Sequence, residues 1–406
     1  MSKIISLEEA KKIIAVNITP IQRTEILKIK DLLKFNVFAD RVLADDVVAC
    51  LNIPPFDRAA MDGYAVMSED TQKAGLENPA ELKFIASIFA GQRISTALKN
   101  GECMYVTTGS VLPVNANAVV MIEDTKRDGN NVSIFKSLKL LENIGKEGED
   151  IKKGTVVLRK GEILTPAKIG VLAASGIKEI AVYAVPKVAI IGTGNEIIDV
   201  GKNLTPGKIY DINSYTLAAV IKKAGCIPVV LKIAGDKEEI LQKRLEEALQ
   251  YEVIIISGGS SVGEKDLLSK IVESNGKILF HGVNIKPGKP TLFGNVNGKP
   301  VFGMPGNPTS CLMNAYIFLL PALRKMAHLP FERKIVKVKM SEKFISKSDR
   351  HLFVTVKLEN GYAKMVFKTS GAITSMSEAD GFIEIPTDKK VIEMSEEVEV
   401  NLFEIF

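Results

Sequence analysis

The chain has 406 residues, 46% hydrophobic and 25% charged, with 53 Lys and Arg against 48 Asp and Glu and a formal charge of +5. That composition excludes a disordered, collagen-like or membrane-bundle chain, and so small a charge over this length lacks the basic footprint of a nucleic-acid binder. The length exceeds what one hydrophobic core usually serves, so several domains are expected.

The start, MSKIISLEEAKKII, turns charged within eight residues and lacks the apolar core and cleavage site of a secretory signal. Cys50, Cys103, Cys226 and Cys311 are scattered with no CxxC spacing, which fits a reducing cytoplasm. Residues 6 to 34 carry helical periodicity, with Ser6 and Glu9 in capping-box spacing and Pro20 breaking the run, and predict two short helices. From Ala44 to Val182, short β-branched runs such as MYVTTG and NAVVMIED alternate with Gly, Pro and Asn, the pattern of an irregular β domain. Within it, Thr165, Pro166 and Gly176 frame one helix over Leu164 to Ser175 as N-cap, first position and stop.

After Pro186 strands and helices alternate: KVAIIGTGNE, a helix from Ser214, CIPVVLKIA, a helix from Lys237, then VIIIS. This βαβ grammar predicts a mainly parallel sheet covered on both faces, with ligands beyond the carboxyl ends of its strands. Ala315 to Leu323 is the longest apolar stretch, half the ~20 residues a membrane span needs, and reads as a buried helix. From Pro330 the pattern returns to short strands, predicting a small β-barrel or sandwich.

His281, His328 and His351 lie far apart, so neither a His-rich metal site nor a Ser-His-Asp triad is indicated. Chemistry falls instead to Gly-rich loops, lysines and carboxylates. Ser257 to Asp266 (SGGSSVGEKD) follows a buried strand and leads into a helix, so the amides of Ser257, Gly258, Gly259 and Gly263, the hydroxyls of Ser260 and Ser261, and the helix start at Asp266 suit a phosphate. An ordinary strand-to-helix loop explains the same glycines, and the absence of GKS or GKT excludes a Walker A loop. In NIKPGKP, prolines preset Lys286 and Lys289 for an anion, against the plainer reading of a surface turn. GMPGNPTS adds Pro305, Gly306, Asn307 and Ser310 at another strand-to-helix junction, and GTGNE adds Thr193 and Glu196. Carboxylates near such a cradle are candidates for a divalent cation, here Glu196, Asp236, Glu264 and Asp266, although Asp236 and Asp266 also sit where helix N-caps are expected. PPFDRAAMDGYAV contributes Asp57 and Asp62, and GEDIKKG contributes Asp150; tight turns account for both segments equally well.

PPFDRAAMDGYAV, TTGSVLP, GKEGEDIKKG, GTGNE, SGGSSVGEKD, NIKPGKPTLFG and MPGNPTS, in this order over nearly the whole chain, resemble the bacterial molybdopterin molybdenumtransferase family, and with it the C-terminal half of gephyrin and plant Cnx-type proteins. The resemblance implies a multidomain α/β plus β fold: a split N-terminal domain (1–45 plus 145–183), a β domain (46–144), a molybdopterin-binding α/β domain (184–329) and a C-terminal β-barrel (330–406). It implies a transferase that places molybdenum from molybdate on the dithiolene of adenylylated molybdopterin, releases AMP and uses magnesium. It also implies a homodimer with a site shared between subunits and a molybdopterin adenylyltransferase as substrate supplier, while the small net charge and the short apolar stretch predict neither a nucleic-acid nor a membrane partner. Carried over residue by residue, the acidic functional positions are Asp62, Asp150, Glu196 and Asp236, the basic ones Lys286 and Lys289, with Glu196 and Asp236 toward the metal. Thr108 of TTGSVLP joins the substrate-binding positions, and Arg350, Ser370 and Ser375 match positions linked to oxyanion binding. Where the family commonly has TGDE this chain has Asn195, and Lys237 stands where a second acidic residue often follows Asp236. The rivals are an adenylyltransferase-like or hydrolytic use of the α/β domain, and a non-catalytic gephyrin-like scaffold.

Overall fold

The computed structural model describes residues 4–33, 40–92, 95–258, 267–366, 368 and 371–404. The chain divides into two compact units, Met1–Glu25 with Ala39–Val42 and Val182–Phe406, and Ile26–Phe38 with Leu43–Ala181.

The first unit opens with the helix Leu7–Asn17, whose Ser6 hydroxyl accepts the Glu9 N–H as the spacing requires, while Leu7, Ala10 and Ile14 bury one face. The second helix expected before residue 34 does not form: Thr24–Lys28 is a strand and Ile29–Leu33 a single 3-10 stretch. A short segment without a cap is marginal as a helix, and β-branched Thr24 and Ile26 suit extended backbone.

At the centre of this unit is a six-stranded sheet. Its strands run Ile227–Val230, Lys187–Gly192, Val253–Ser257 and Lys299–Met304 in parallel, then Leu292–Val296 antiparallel to Lys299–Met304, and last Gly276–His281 antiparallel to Leu292–Val296. Every residue of VIIIS is buried, because a strand covered by helices on both faces has no polar side. The chain leaves Lys187–Gly192 through the helix Asn213–Lys223 to one neighbouring strand and returns through Glu238–Ala248 to the other. The connections therefore diverge at the carboxyl end of Lys187–Gly192, which opens a crevice there. Ala315–Leu323 is buried as expected but is not one regular helix; a π-helical turn, Ala315–Leu319, sits between Pro308–Asn314 and Leu320–Met326. Pro321 has no N–H to offer the preceding turn, which favours the altered bonding.

Between the two sequence alternatives for the C-terminal segment, strand closure decides for a barrel. His351–Glu359 pairs with Tyr362–Met365 on one side and Gly381–Ile385 on the other, and the ring runs on through Ile335–Met340 and Glu397–Leu402. Val354, Val356, Ile383, Val398 and Val400 fill it.

The second unit holds a six-stranded mixed sheet ordered Ala118–Met121, Gly63–Val66, Glu102–Val106, Ala80–Ile88, Asn131–Ile134 and Thr125–Asp128. Apolar clusters cover both faces, one around Tyr64 and Val120, the other around Met104 and Val119. Gly63 is required: a Cβ there would lie 1.8 Å from the Val120 carbonyl oxygen. The helix Pro166–Ala174 forms as read, with the Thr165 hydroxyl accepting the Lys168 N–H and Gly176 at φ +67°.

Candidate active site

The loops at the carboxyl ends of the parallel strands, the NIKPGKP segment and the rim of the barrel enclose a cavity of about 1380 Å³ within the first unit. Its floor is stitched from three strand ends. The Thr193 N–H and hydroxyl both donate to the Ser257 carbonyl (2.9 and 3.2 Å), and the Gly258 N–H donates to the Met304 carbonyl (3.1 Å). Gly258, at φ +94°, admits no side chain, since a Cβ would come within 2.6 Å of the Thr193 carbonyl oxygen. Pro305, Gly306, Asn307 and Ser310 line the adjoining wall, with Asn307 as N-cap and Pro308 opening the helix.

The lysine segment is held at both ends. Ile285–Lys286 pairs in parallel with His351–Leu352 of the barrel. Gly288, at φ +103°, presses against the side chain of Asn314, whose amide donates to the Gly288 carbonyl (3.1 Å) and to the Thr291 hydroxyl. Lys286, Lys289 and Arg350 reach the cavity, and none has a salt bridge among the described residues. Lys368, also in the lining, is engaged with Glu378 at 2.9 Å.

Glu196 and Asp236 line the same cavity. The N-cap reading of Asp236 is corrected: the helix begins at Glu238 with Lys237 at the cap, and Asp236 instead exchanges hydrogen bonds with Asn195. The Asn195 N–H donates to the Asp236 carboxylate (3.3 Å), and the Asn195 side-chain oxygen accepts the Asp236 N–H (3.2 Å). The amide that stands where the family commonly has a carboxylate therefore ties two loops together. Among the described residues no three His, Cys, Asp or Glu side chains form a metal cage. Two carboxylates beside an anion cradle fit magnesium, which keeps several waters and binds through one or two carboxylates plus substrate phosphates.

Ser375 is buried behind the rim, accepting the Lys368 N–H at 3.0 Å. Asp62, Thr108 and Asp150 belong to the second unit. Asp62 accepts both the N–H and the hydroxyl of Thr108 (2.6 and 2.7 Å), chiefly the backbone bond holding its pKa below the usual carboxylate value. The exposed Asp150 carboxylate has no hydrogen bond or ion pair among the described residues. Gly259, Ser260, Ser261, Gly263, Glu264, Asp266 and Ser370 lie outside the described residues.

Three matched regions agree with this arrangement: "MoeA N-terminal region (domain I and II)" over residues 5–176, "Probable molybdopterin binding domain" over 189–325, and "MoeA C-terminal region (domain IV)" over 337–403. The chain belongs to the MoeA family. A molybdopterin molybdenumtransferase of Staphylococcus aureus (strain COL) is 33% identical over 373 residues, covering 90% of this chain and 89% of the relative. One of Haemophilus influenzae is 36% identical over 290 residues, 71% and 70% of the two chains. The crystal structure of a molybdopterin biosynthesis MoeA protein from Pyrococcus horikoshii superposes with a TM-score of 0.86 at 38% identity, covering 100% of each chain.

Sequence reasoning missed several residues in this MoeA cleft. Asn213 and Asp211 stand in DINS, directly before a helix, and Asp211 caps that helix through the Ser214 N–H (3.0 Å); this D-x-N-S pattern was the available signal. Lys208 donates to the Asn195 carbonyl (2.5 Å), Asn314 lies mid-helix, and no local pattern marks either one or Lys368. Cys311, 3.8 Å from the Ser257 hydroxyl, is pushed up to about 12 by burial and stays a thiol.

Proposed function

We propose that the chain is a molybdopterin molybdenumtransferase, placing molybdenum from molybdate on the dithiolene of adenylylated molybdopterin with release of AMP. The observation that carries this reading is the gathering of Lys286, Lys289 and Arg350, without carboxylate partners among the described residues, opposite Glu196 and Asp236 at the ends of parallel strands. Cations without carboxylate partners, aimed at a pyrophosphate and an oxyanion, stabilise charge that grows as the phosphoanhydride breaks. The loop amides and the Ser257 hydroxyl orient the phosphates; Lys286 and Lys289 neutralise them and draw molybdate to the same end.

Magnesium would be held by Glu196 and Asp236 and would supply charge neutralisation at the phosphoanhydride. With every described buried thiol pushed up to about 12, the substrate's own sulfurs are the soft ligands suited to molybdenum. A homodimer in which Asp62 and Asp150 serve the partner's cleft completes the proposal, with a molybdopterin adenylyltransferase as supplier and a cytoplasmic location. No helix among the described residues is long and apolar enough to cross a membrane.

The test is incubation with adenylylated molybdopterin, molybdate and magnesium while following AMP. Molybdate-dependent AMP release supports the reading, and its absence overturns it. Mixing Asp62→Asn with Lys289→Ala protein tests the shared site, since mixed dimers regain one intact site only if the two residues act from different subunits.

A further inference from the structure

We propose that Asn213 is a positioning residue of the cleft, whose side-chain amide orients the Ser257 hydroxyl and the Pro305–Gly306 turn for the substrate's pyrophosphate; this rests on the reaction proposed above. The amide nitrogen donates to the Ser257 hydroxyl at 2.8 Å and to the Gly306 carbonyl at 2.9 Å, with the Pro305 carbonyl at 3.5 Å. One side chain thus joins the end of the strand Val253–Ser257 to the turn after Lys299–Met304.

The helix does not need it. Asn213 is the first residue of Asn213–Lys223, but no side chain of the cap residue Ile212 or of Asn213 caps it, and Asp211 takes the Ser214 N–H instead. The amide oxygen of Asn213 is buried with no hydrogen-bond partner among the described residues, a cost that a residue chosen for packing alone would avoid. The amide is therefore oriented entirely by the three acceptors around its nitrogen.

That orientation has a consequence for the cleft. Holding the Gly306 carbonyl on Asn213 fixes the turn after Lys299–Met304, whose Pro305 and Gly306 line the cavity. By accepting from Asn213, the Ser257 hydroxyl keeps its own proton for another acceptor.

The test compares wild type with Asn213→Ala and Asn213→Asp, using inorganic pyrophosphate as the calorimetric probe and adenylylated molybdopterin for kinetics. Asn213→Ala removes the donors and should weaken pyrophosphate about tenfold. Asn213→Asp keeps the shape but sets a carboxylate against two carbonyl oxygens, and should weaken it further, with KM rising more than kcat falls in both. A purely structural role would make the isosteric Asp variant the milder one and let binding follow melting temperature. If both variants bind pyrophosphate as wild type does, the inference fails while the proposed reaction stands. Should wild type bind no pyrophosphate, both fall; should wild type and variants differ as expected but no AMP be released, only the reaction is wrong. Where Asn213→Asp does not fold, the Ala variant alone decides on the same measurement.

Discussion

Two charged regions of this molecule are built on opposite plans. In the cleft of the first unit, Lys286, Lys289 and Arg350 have no carboxylate within salt-bridge distance among the described residues. In the PPFDRAAMDGYAV turn of the second unit the carboxylates are already answered. Asp57 accepts the Glu147 N–H (2.8 Å) and the Lys146 ammonium (2.7 Å), and Asp62 takes two bonds from Thr108. Folding gains nothing from gathering like charges, whereas a hydrogen-bonded carboxylate shapes its own loop. The difference separates residues kept for a ligand from residues that also hold the chain.

The strongest way to break this contrast is to remove the cleft cations. Lys286→Ala combined with Lys289→Ala should lower kcat/KM for AMP release by about a thousandfold. Its melting temperature should not drop, since surface changes without partners stay within about 0.5 kcal/mol; a large loss of stability with turnover intact would invert the contrast. Next, Asp62→Asn should cost about tenfold to a hundredfold in turnover, because the amide keeps one acceptor for Thr108 but loses the charge. A variant with wild-type AMP release would make Asp62 a turn residue like Asp57.

Asp57→Ala should show the reverse profile. Losing a backbone and a lysine bond at a solvent-screened site should destabilise by roughly 1 kcal/mol in a urea titration, with pyrophosphate binding to the other unit unchanged. The smallest effect is the pH dependence. The Glu147 N–H bond, then Lys146, hold the Asp57 pKa below its ordinary value, and Asp62 is lowered by Thr108. Depressed folded-state values give stability that is present above the unfolded aspartate pKa of about 3.9 and lost as pH falls through the folded ones. The melting temperature should therefore fall more steeply below about pH 4 in wild type than in Asp57→Asn; parallel curves would mean that these bonds do not persist in solution.

Much of the fold was legible because its signals are local. Thr165, Pro166 and Gly176 bracket their helix within one turn of each end, and the unbroken apolar run of VIIIS marks a strand with no solvent face. Ser6 and Glu9 likewise marked the first helix. The helical reading of Thr24–Lys28 failed since periodicity alone cannot weigh a weak helix against extended backbone.

By itself the sequence determined the mainly parallel α/β sheet, the β character on either side of it, the family, and which loops carry glycine, lysine and acid. Each of these rests on neighbours within a few positions or on the order of motifs along the chain. Only the tertiary structure decided that the last sheet closes as a barrel, through His351–Glu359 pairing on both edges. Only there does Asp236 meet Asn195, 41 positions away, and Asn213 meet Ser257 and Gly306, 44 and 93 positions away. Hydrogen bonds over such separations depend on where the strands stop and how the sheet turns its ends together, and that geometry is a property of the packed layers rather than of any segment.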